Sequence, residues 1–371
     1  MGWLTVETVA LAVSCLAMLP QRALAGAVGK LDLRGQRLVF LGDSITDGFS
    51  YPLLFKQALE EAGVPAPLII NAGIGGDTAA GMQKRLDRDV FPHKPTLVTL
   101  SAGINDVLRN VKPADYETSV TDIAAQLKAR NVPLLVLTTS VLGARNAEAD
   151  RKLAEFNGAL RRLAQREGYR LADVNALMQA ARAAGTEVME EDHVHPNYQG
   201  HRVMARAVLD ALGYADVPVP KELKVAPLPG IVREWKVRAV QGKKEPPAEE
   251  PAADWTAYSL PEKEPIANWW QDQERRRGLA MSLDRVLGKA DRYRATAEFS
   301  TDKAKAACVN TGGLLQRVWL NGTLIYKATD EWRGWHPGRE RIQADLVAGK
   351  NVITIETGPQ FFLSITETND W

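Results

Sequence analysis

Between residues 30 and 213, short apolar runs alternate with longer stretches of helical periodicity. The runs are Leu38-Val39-Phe40-Leu41, Leu68-Ile69-Ile70, Leu97-Val98-Thr99-Leu100, Leu134-Leu135-Val136-Leu137 and Leu171-Ala172-Asp173-Val174. Few polar residues break them, which is the composition of strands buried on both faces of a parallel sheet. Helix-like segments separate them, among them Tyr116 to Arg130 and Ala147 to Arg166. In the latter, Leu153, Phe156, Leu160 and Leu163 form an apolar stripe at helical spacing. The alternation predicts an α/β fold with a five-stranded parallel sheet between two helical layers, its ligand sites at the carboxyl ends of the strands.

Beyond residue 213 the texture changes. Tyr214 to Pro229 is rich in proline and valine and reads as a linker. Residues 242–254 (GKKEPPAEEPAAD) are charged and proline-rich and read as a flexible loop. The last hundred residues alternate as strands do. Tyr293 to Phe299 is one run, and Asn351 to Glu356 and Phe361 to Ile365 are two more. Arg317 to Leu320 and Thr323 to Tyr326 flank Asn321-Gly322, a strong hairpin signal. Apart from Trp3, every tryptophan lies at residue 235 or later, so the two halves build separate cores. The expected organisation is an α/β domain over 26–213, a linker over 214–229 and a jelly-roll-like β-sandwich over 230–371.

The 371 residues suffice for two cored domains. With 46 basic and 45 acidic residues, the chain has no electrostatic footprint for nucleic acid. Its densest basic cluster, Arg275-Arg276-Arg277 behind Glu274, reads as a solvated turn. Val9 to Leu19 is almost wholly apolar and precedes Ala23-Leu24-Ala25, the pattern of a signal peptide over 1–25. The run is too short for a stable membrane span, although the segment before it carries Glu7 and no Lys or Arg. Export to a periplasmic or extracellular location is expected. Removal of Cys15 with that segment leaves Cys308 alone, so stability must come from packing rather than a disulfide.

Four short stretches carry chemistry. Ser44, in Gly42-Asp43-Ser44, sits where the first strand turns toward a helix and is a candidate nucleophile. The G-x-S-x-G elbow is absent, since Ile45-Thr46 follows the serine. Asp192 and His195, in Asp192-His193-Val194-His195-Pro196, are three residues apart. That spacing lets the carboxylate orient one imidazole nitrogen while the other faces Ser44. Asp173, at a strand end, is a rival acid. Gly76, in the Asn71 to Gly76 stretch, and Asn105, in Gly103-Ile104-Asn105-Asp106, can donate to a developing oxyanion together with the Ser44 N–H. Gly76 is expected to open a helix. A nucleotide-binding reading of this turn fails, because the third glycine of G-x-G-x-x-G is missing and no G-K-[ST] follows. His193, His195, His201 and Asp192 also suggest a metal site, but no acidic or cysteine partners recur at ligand spacing. No metal or cofactor is expected.

These four blocks, GDSI, N-x-G-I-x-G, G-x-N-D and D-x-x-H-P, resemble those of the SGNH (GDSL-type) serine hydrolase superfamily across residues 37 to 212. The resemblance implies a flavodoxin-like fold and esterase, lipase or carbohydrate deacetylase activity. It implies Ser44 as nucleophile and first oxyanion donor, Gly76 and Asn105 as the other donors, His195 as base and Asp192 as its partner. His193 departs from the family, where many members have glycine. The C-terminal part is generically similar to the galactose-binding-like sandwiches of secreted carbohydrate enzymes, and Trp332 and Trp335 lie in a loop-like stretch suited to stacking on a sugar. The expected activity is hydrolysis of short acyl esters, acetyl foremost, on a carbohydrate. Two alternatives stand: a lipid-acting esterase or thioesterase, and a glycan-binding protein whose hydrolase domain is a non-catalytic scaffold.

Overall fold

The computed structural model describes residues 29–242, 254–260, 273–328, 336, 340 and 342–368. The expected signal peptide, most of the 242–254 loop, and Trp332 and Trp335 therefore lie outside the described residues.

Five parallel strands form the first sheet. They are β1 (Arg37–Gly42), β2 (Leu68–Gly73), β3 (Leu97–Ser101), β4 (Leu134–Leu137) and β5 (Arg170–Ala172), in the order β2-β1-β3-β4-β5. This is the flavodoxin-like order. The side chains of β1, β3 and β4 are buried almost throughout, as strands covered on both faces must be. β5 ends one residue before Asp173, which instead caps the next helix by accepting from the Ala176 N–H at 3.2 Å.

The helices of this domain are α1 (Ser44–Asp47), α2 (Ser50–Glu61), α3 (Ala79–Lys84), α4 (Leu86–Asp89), α5 (Ile104–Leu108), α6 (Pro113–Ala129), α7 (Ala147–Glu167), α8 (Val174–Ala183) and α9 (Tyr198–Ala211). α9 packs on α2 and α8, while α6 packs on α3 and α7, giving the two outer layers. The predicted stripe of α7, Leu153, Phe156, Leu160 and Leu163, is buried in the core. Residues 214–225 run back over this domain. Tyr214, Val217 and Leu223 join its core, and Arg206 donates to the carbonyls of Tyr214 and Val217.

The second sheet has eight strands. They are β6 (Glu234–Val240), β7 (Thr256–Ser259), β8 (Met281–Ser282), β9 (Arg292–Thr301), β10 (Lys305–Leu320), β11 (Thr323–Lys327), β12 (Ile342–Leu346) and β13 (Gly349–Thr366). All its pairings are antiparallel. Two strands expected at 351–356 and 361–365 are one continuous strand, β13, and the strand expected at 317–320 is the end of the long β10. Irregular register around Gly313 to Arg317 lets β10 bend. Its first half pairs with β12 and the end of β13; its second half pairs with β11 and the start of β13. β8 then pairs with the end of β13 and β9 with its start, so two leaves enclose one core containing Trp235, Val318, Ile355, Ile342 and Phe361. Asn321-Gly322 forms the β10–β11 turn with φ of 49° and 79°, as the sequence indicates.

α10 (Gln273–Gly278) and α11 (Leu283–Leu287) complete the described α-helices. The basic cluster in α10 is not the solvated turn expected from its composition. Glu274 is buried and pairs with Arg277 at 3.0 Å, because this short helix is packed between the two domains.

Candidate active site

β1 and β3 are neighbours in the sheet, yet the chain leaves them toward opposite edges. The crevice at their carboxyl ends is where this topology places a site. Ser44 is the first residue of α1, directly after Gly42-Asp43 at the end of β1. Asp43 is extended and caps α1, its Oδ1 accepting from the Ile45 N–H at 3.0 Å. Ser44 Oγ thereby points out of the sheet end and lies 2.8 Å from His195 Nε2.

His195 comes from the loop between α8 and α9. This loop closes on itself: Glu190 N–H donates to the His195 carbonyl at 2.8 Å, and Met189 bridges Pro196. Asp192 shapes its tip. Oδ1 accepts from the N–H groups of Val194 (2.8 Å) and His195 (2.9 Å), while Oδ2 lies 2.6 Å from His195 Nδ1. A carboxylate only accepts, so Nδ1 carries the proton and Nε2 presents its lone pair to the Ser44 hydroxyl. Partial burial raises the Asp192 carboxyl pKa, but hydrogen bonds from the His195 N–H, the His195 ring and the Val194 N–H outweigh it and hold the group below the usual carboxylate range. His193 adopts a left-handed φ of 61°, which explains a preference for glycine at this position. Its carbonyl accepts from the Gly143 N–H at 2.9 Å and Asn146 Nδ2 at 3.1 Å, which tie the loop to the segment after β4.

The rival acid Asp173 is occupied elsewhere. It receives Arg161 Nη2 at 2.8 Å and Thr138 Oγ1 at 2.9 Å, besides capping α8. His201 is buried in α9 and stacks on Tyr51, and burial pushes its pKa down to about 3.

The turn after β2 differs from expectation in one respect. Gly76 does not open a helix, since α3 starts at Ala79 behind the N-cap Thr78. It lies in the preceding turn with φ 77°, a conformation L side chains rarely adopt. Among the described residues no acceptor meets the N–H of Ser44 or of Gly76. Asn105 is the second residue of α5. Its Nδ2 donates weakly to Asp43 Oδ2 at 3.3 Å, leaving its second N–H for another acceptor.

Several residues supporting the site were not legible in the sequence. Burial raises Asp43 to about 7 and Asp106 to about 6; Asp106 also accepts from the Ala79 N–H at 3.2 Å. Arg85 is buried and donates to Gly42 O at 2.9 Å, Ala72 O at 2.7 Å and Asp77 Oδ2 at 2.7 Å. It thus ties the ends of β1 and β2 together. In sequence it sits among Lys84, Asp87 and Arg88 and resembles any charged helix surface. Asp47, one turn beyond Ser44, accepts from the Gly75 N–H at 3.1 Å. His336 and Glu274 reach the same loop from the second domain.

The sequence profile of the GDSL-like lipase/acylhydrolase family matches residues 40–203. An acetylxylan esterase of Geobacillus stearothermophilus is 25% identical over 218 residues, covering 48% of this chain and 95% of that protein. Esterase TesA of Pseudomonas aeruginosa is 32% identical over 108 residues, 28% of this chain and 53% of its own. Among solved structures, the acetylxylan esterase Axe2 of Geobacillus stearothermophilus covers 49% of this chain and 97% of its own at 22% identity and a TM-score of 0.45. The profile match begins within β1 and ends within α9, so it encloses Ser44 and His195 and stops before the second sheet. Over the α/β domain this chain is therefore similar to the GDSL-like lipase/acylhydrolase family, and its esterase relatives support a carboxylic ester hydrolase.

Proposed function

We propose that the protein is an exported serine esterase that removes short acyl groups, acetyl foremost, from a carbohydrate. The observation that carries the reading is the hydrogen-bonded line from Ser44 Oγ through His195 to Asp192, at 2.8 Å and 2.6 Å. His195 Nε2 takes the hydroxyl proton as Ser44 Oγ attacks the ester carbonyl. The carbonyl oxygen, now an anion, is received by the N–H groups of Ser44 and Gly76 and by Asn105 Nδ2. Imidazolium, stabilised by Asp192, returns the proton to the departing alcohol and leaves an acyl-serine. Water, deprotonated by His195, attacks the acyl carbon; collapse releases the acid and restores the Ser44 hydroxyl.

The substrate class is supported by the acetylxylan esterase, whose length is matched almost throughout. Esterase TesA, matched over about half its length, keeps a longer acyl chain as the competing outcome. The test is hydrolysis of p-nitrophenyl acetate, p-nitrophenyl octanoate and acetylated oligosaccharides by wild type and Ser44→Ala. Serine-dependent turnover favouring acetyl esters supports the proposal, whereas preference for octanoate moves the substrate to lipids. Turnover retained by Ser44→Ala removes Ser44 as nucleophile. Glycan binding without turnover means that the α/β domain is a scaffold.

A further inference from the structure

The loop that carries Gly76 is held from two sides. Its own domain supplies Arg85, beneath it, and Asp47, whose Oδ2 accepts from the Gly75 N–H at 3.1 Å. Asn71 knots it internally, donating Nδ2 to Asp47 O and accepting the Gly73 N–H, both at 2.9 Å. The second domain supplies the rest. His336 is 2% exposed; its Nε2 is hydrogen-bonded to Gly73 O and lies 3.2 Å from Asp47 Oδ1. Both partners are acceptors, so Nε2 carries a proton in either charge state of the ring. Glu274, anchored by Arg277 at 3.0 Å, lies 3.5 Å from Asn71 Nδ2.

We infer that His336, seconded by Glu274, is a positioning residue: the C-terminal domain completes the active site by holding the 71–77 loop in register with Ser44. The inference rests on the reading of Gly76 as an oxyanion donor. The geometry gives the link its leverage. At Gly73 a Cβ atom would come within 2.2 Å of the Asp47 backbone nitrogen, so the loop lies directly on α1, the helix that begins at Ser44. His336 bonds both members of that contact, Gly73 through its carbonyl and Asp47 through its carboxylate. Releasing it lets the loop slide along α1 and carries the Gly76 N–H, three residues on, away from the oxyanion. A donor must stand within a few tenths of an ångström of its place to stabilise that charge, and the substrate's ground-state contacts do not depend on it to the same degree. Loss of His336 should therefore appear in kcat and little in KM. Both anchors lie beyond residue 203, where the family match ends, so this support is an addition of this chain's second domain.

The experiment compares wild type, His336→Ala, His336→Gln and Ser44→Ala on p-nitrophenyl acetate, with thermal melting of each full-length protein. A glutamine can present its own Nε2–H to Gly73 O. His336→Ala should lower kcat about 10- to 100-fold with KM changed by less than about threefold, and His336→Gln should recover to within about threefold of wild type. Melting temperatures should stay together. A wild-type kcat in His336→Ala overturns the inference. So does a loss that glutamine does not restore, or one matched by a fall in melting temperature, because His336 then serves the fold alone. If His336→Ala does not fold, Asp47→Asn weakens the same link from the other side and must show the same kcat-selective loss; wild-type kcat there overturns the inference as well. Turnover surviving in Ser44→Ala instead rejects the underlying esterase mechanism, which keeps the two failures distinguishable.

Discussion

Replacing Asp192 by asparagine separates an orienting acid from a merely structural one. Oδ1 of Asp192 accepts from two backbone N–H groups, and Oδ2 faces His195 Nδ1 at 2.6 Å. Asparagine keeps an oxygen for the backbone bonds, so the loop tip should persist. Its Nδ2 then takes the place of Oδ2 and presents a donor to Nδ1. The favourable pairing puts the ring proton on Nε2, the tautomer that cannot accept the Ser44 proton. For a buried acid such a change costs about 10⁴ in kcat. The Asp192 side chain is 42% exposed, so water competes for Nδ1 and screens the charge. The expected loss is therefore smaller, about 10²- to 10³-fold in kcat, or roughly 3–4 kcal/mol in the barrier. Steady-state hydrolysis of p-nitrophenyl acetate from mildly acidic to mildly alkaline pH, with melting curves for each variant, measures all of this. An Asp192→Asn enzyme within about tenfold of wild-type kcat would refute the tautomer argument.

Asn105→Ala removes one proposed oxyanion donor and should lower kcat by about 10²- to 10³-fold with KM little changed; an equal rise in KM at constant kcat would make Asn105 a ground-state contact. Burial raises the Asp43 carboxyl pKa from 3.8 to about 7, so the native state favours its protonated form. Its contribution to stability is full below the unfolded value of 3.8 and is lost as pH rises through about 7, on the order of 4 kcal/mol in all. Urea midpoints of the wild type should therefore fall between pH values below and above this window, and Asp43→Asn should lessen the fall. Asp106, raised to about 6 by burial, acts in the same direction, so some fall should remain in that variant. An unchanged pH dependence in Asp43→Asn would show that Asp43 is not the titrating group.

The legible parts of this protein are those whose signal is local. Apolar runs bounded by turns located β1, β3 and β4 within a residue, and the start of β2, because a strand covered on both faces must be apolar throughout. The spacing of Asp192 and His195 is local in the same way: three residues span one turn, and the two side chains lie 2.6 Å apart within a single loop. Asn321-Gly322 announced its hairpin because both positions need φ > 0. Other features had no local signal. The expected break between 356 and 361 is a bend within β13, a distinction set by its partners on either side and not by composition. Arg85 and Glu274 read as surface charges because nothing in their neighbourhood says that they are buried.

The order of apolar runs, with glycines and polar residues at their ends, sufficed to determine an α/β class with five parallel strands and to single out Ser44, His195, Asp192, Gly76 and Asn105 as candidates. Tertiary structure decided which of two acids faces His195, by turning Asp173 toward Arg161 and Thr138. It also decided that His336, 263 residues from Gly73, meets the loop that follows β2. Such a contact depends on how two separately patterned domains dock. Hydrogen bonds between distant residues leave no periodicity along the chain, so only the folded arrangement reveals them.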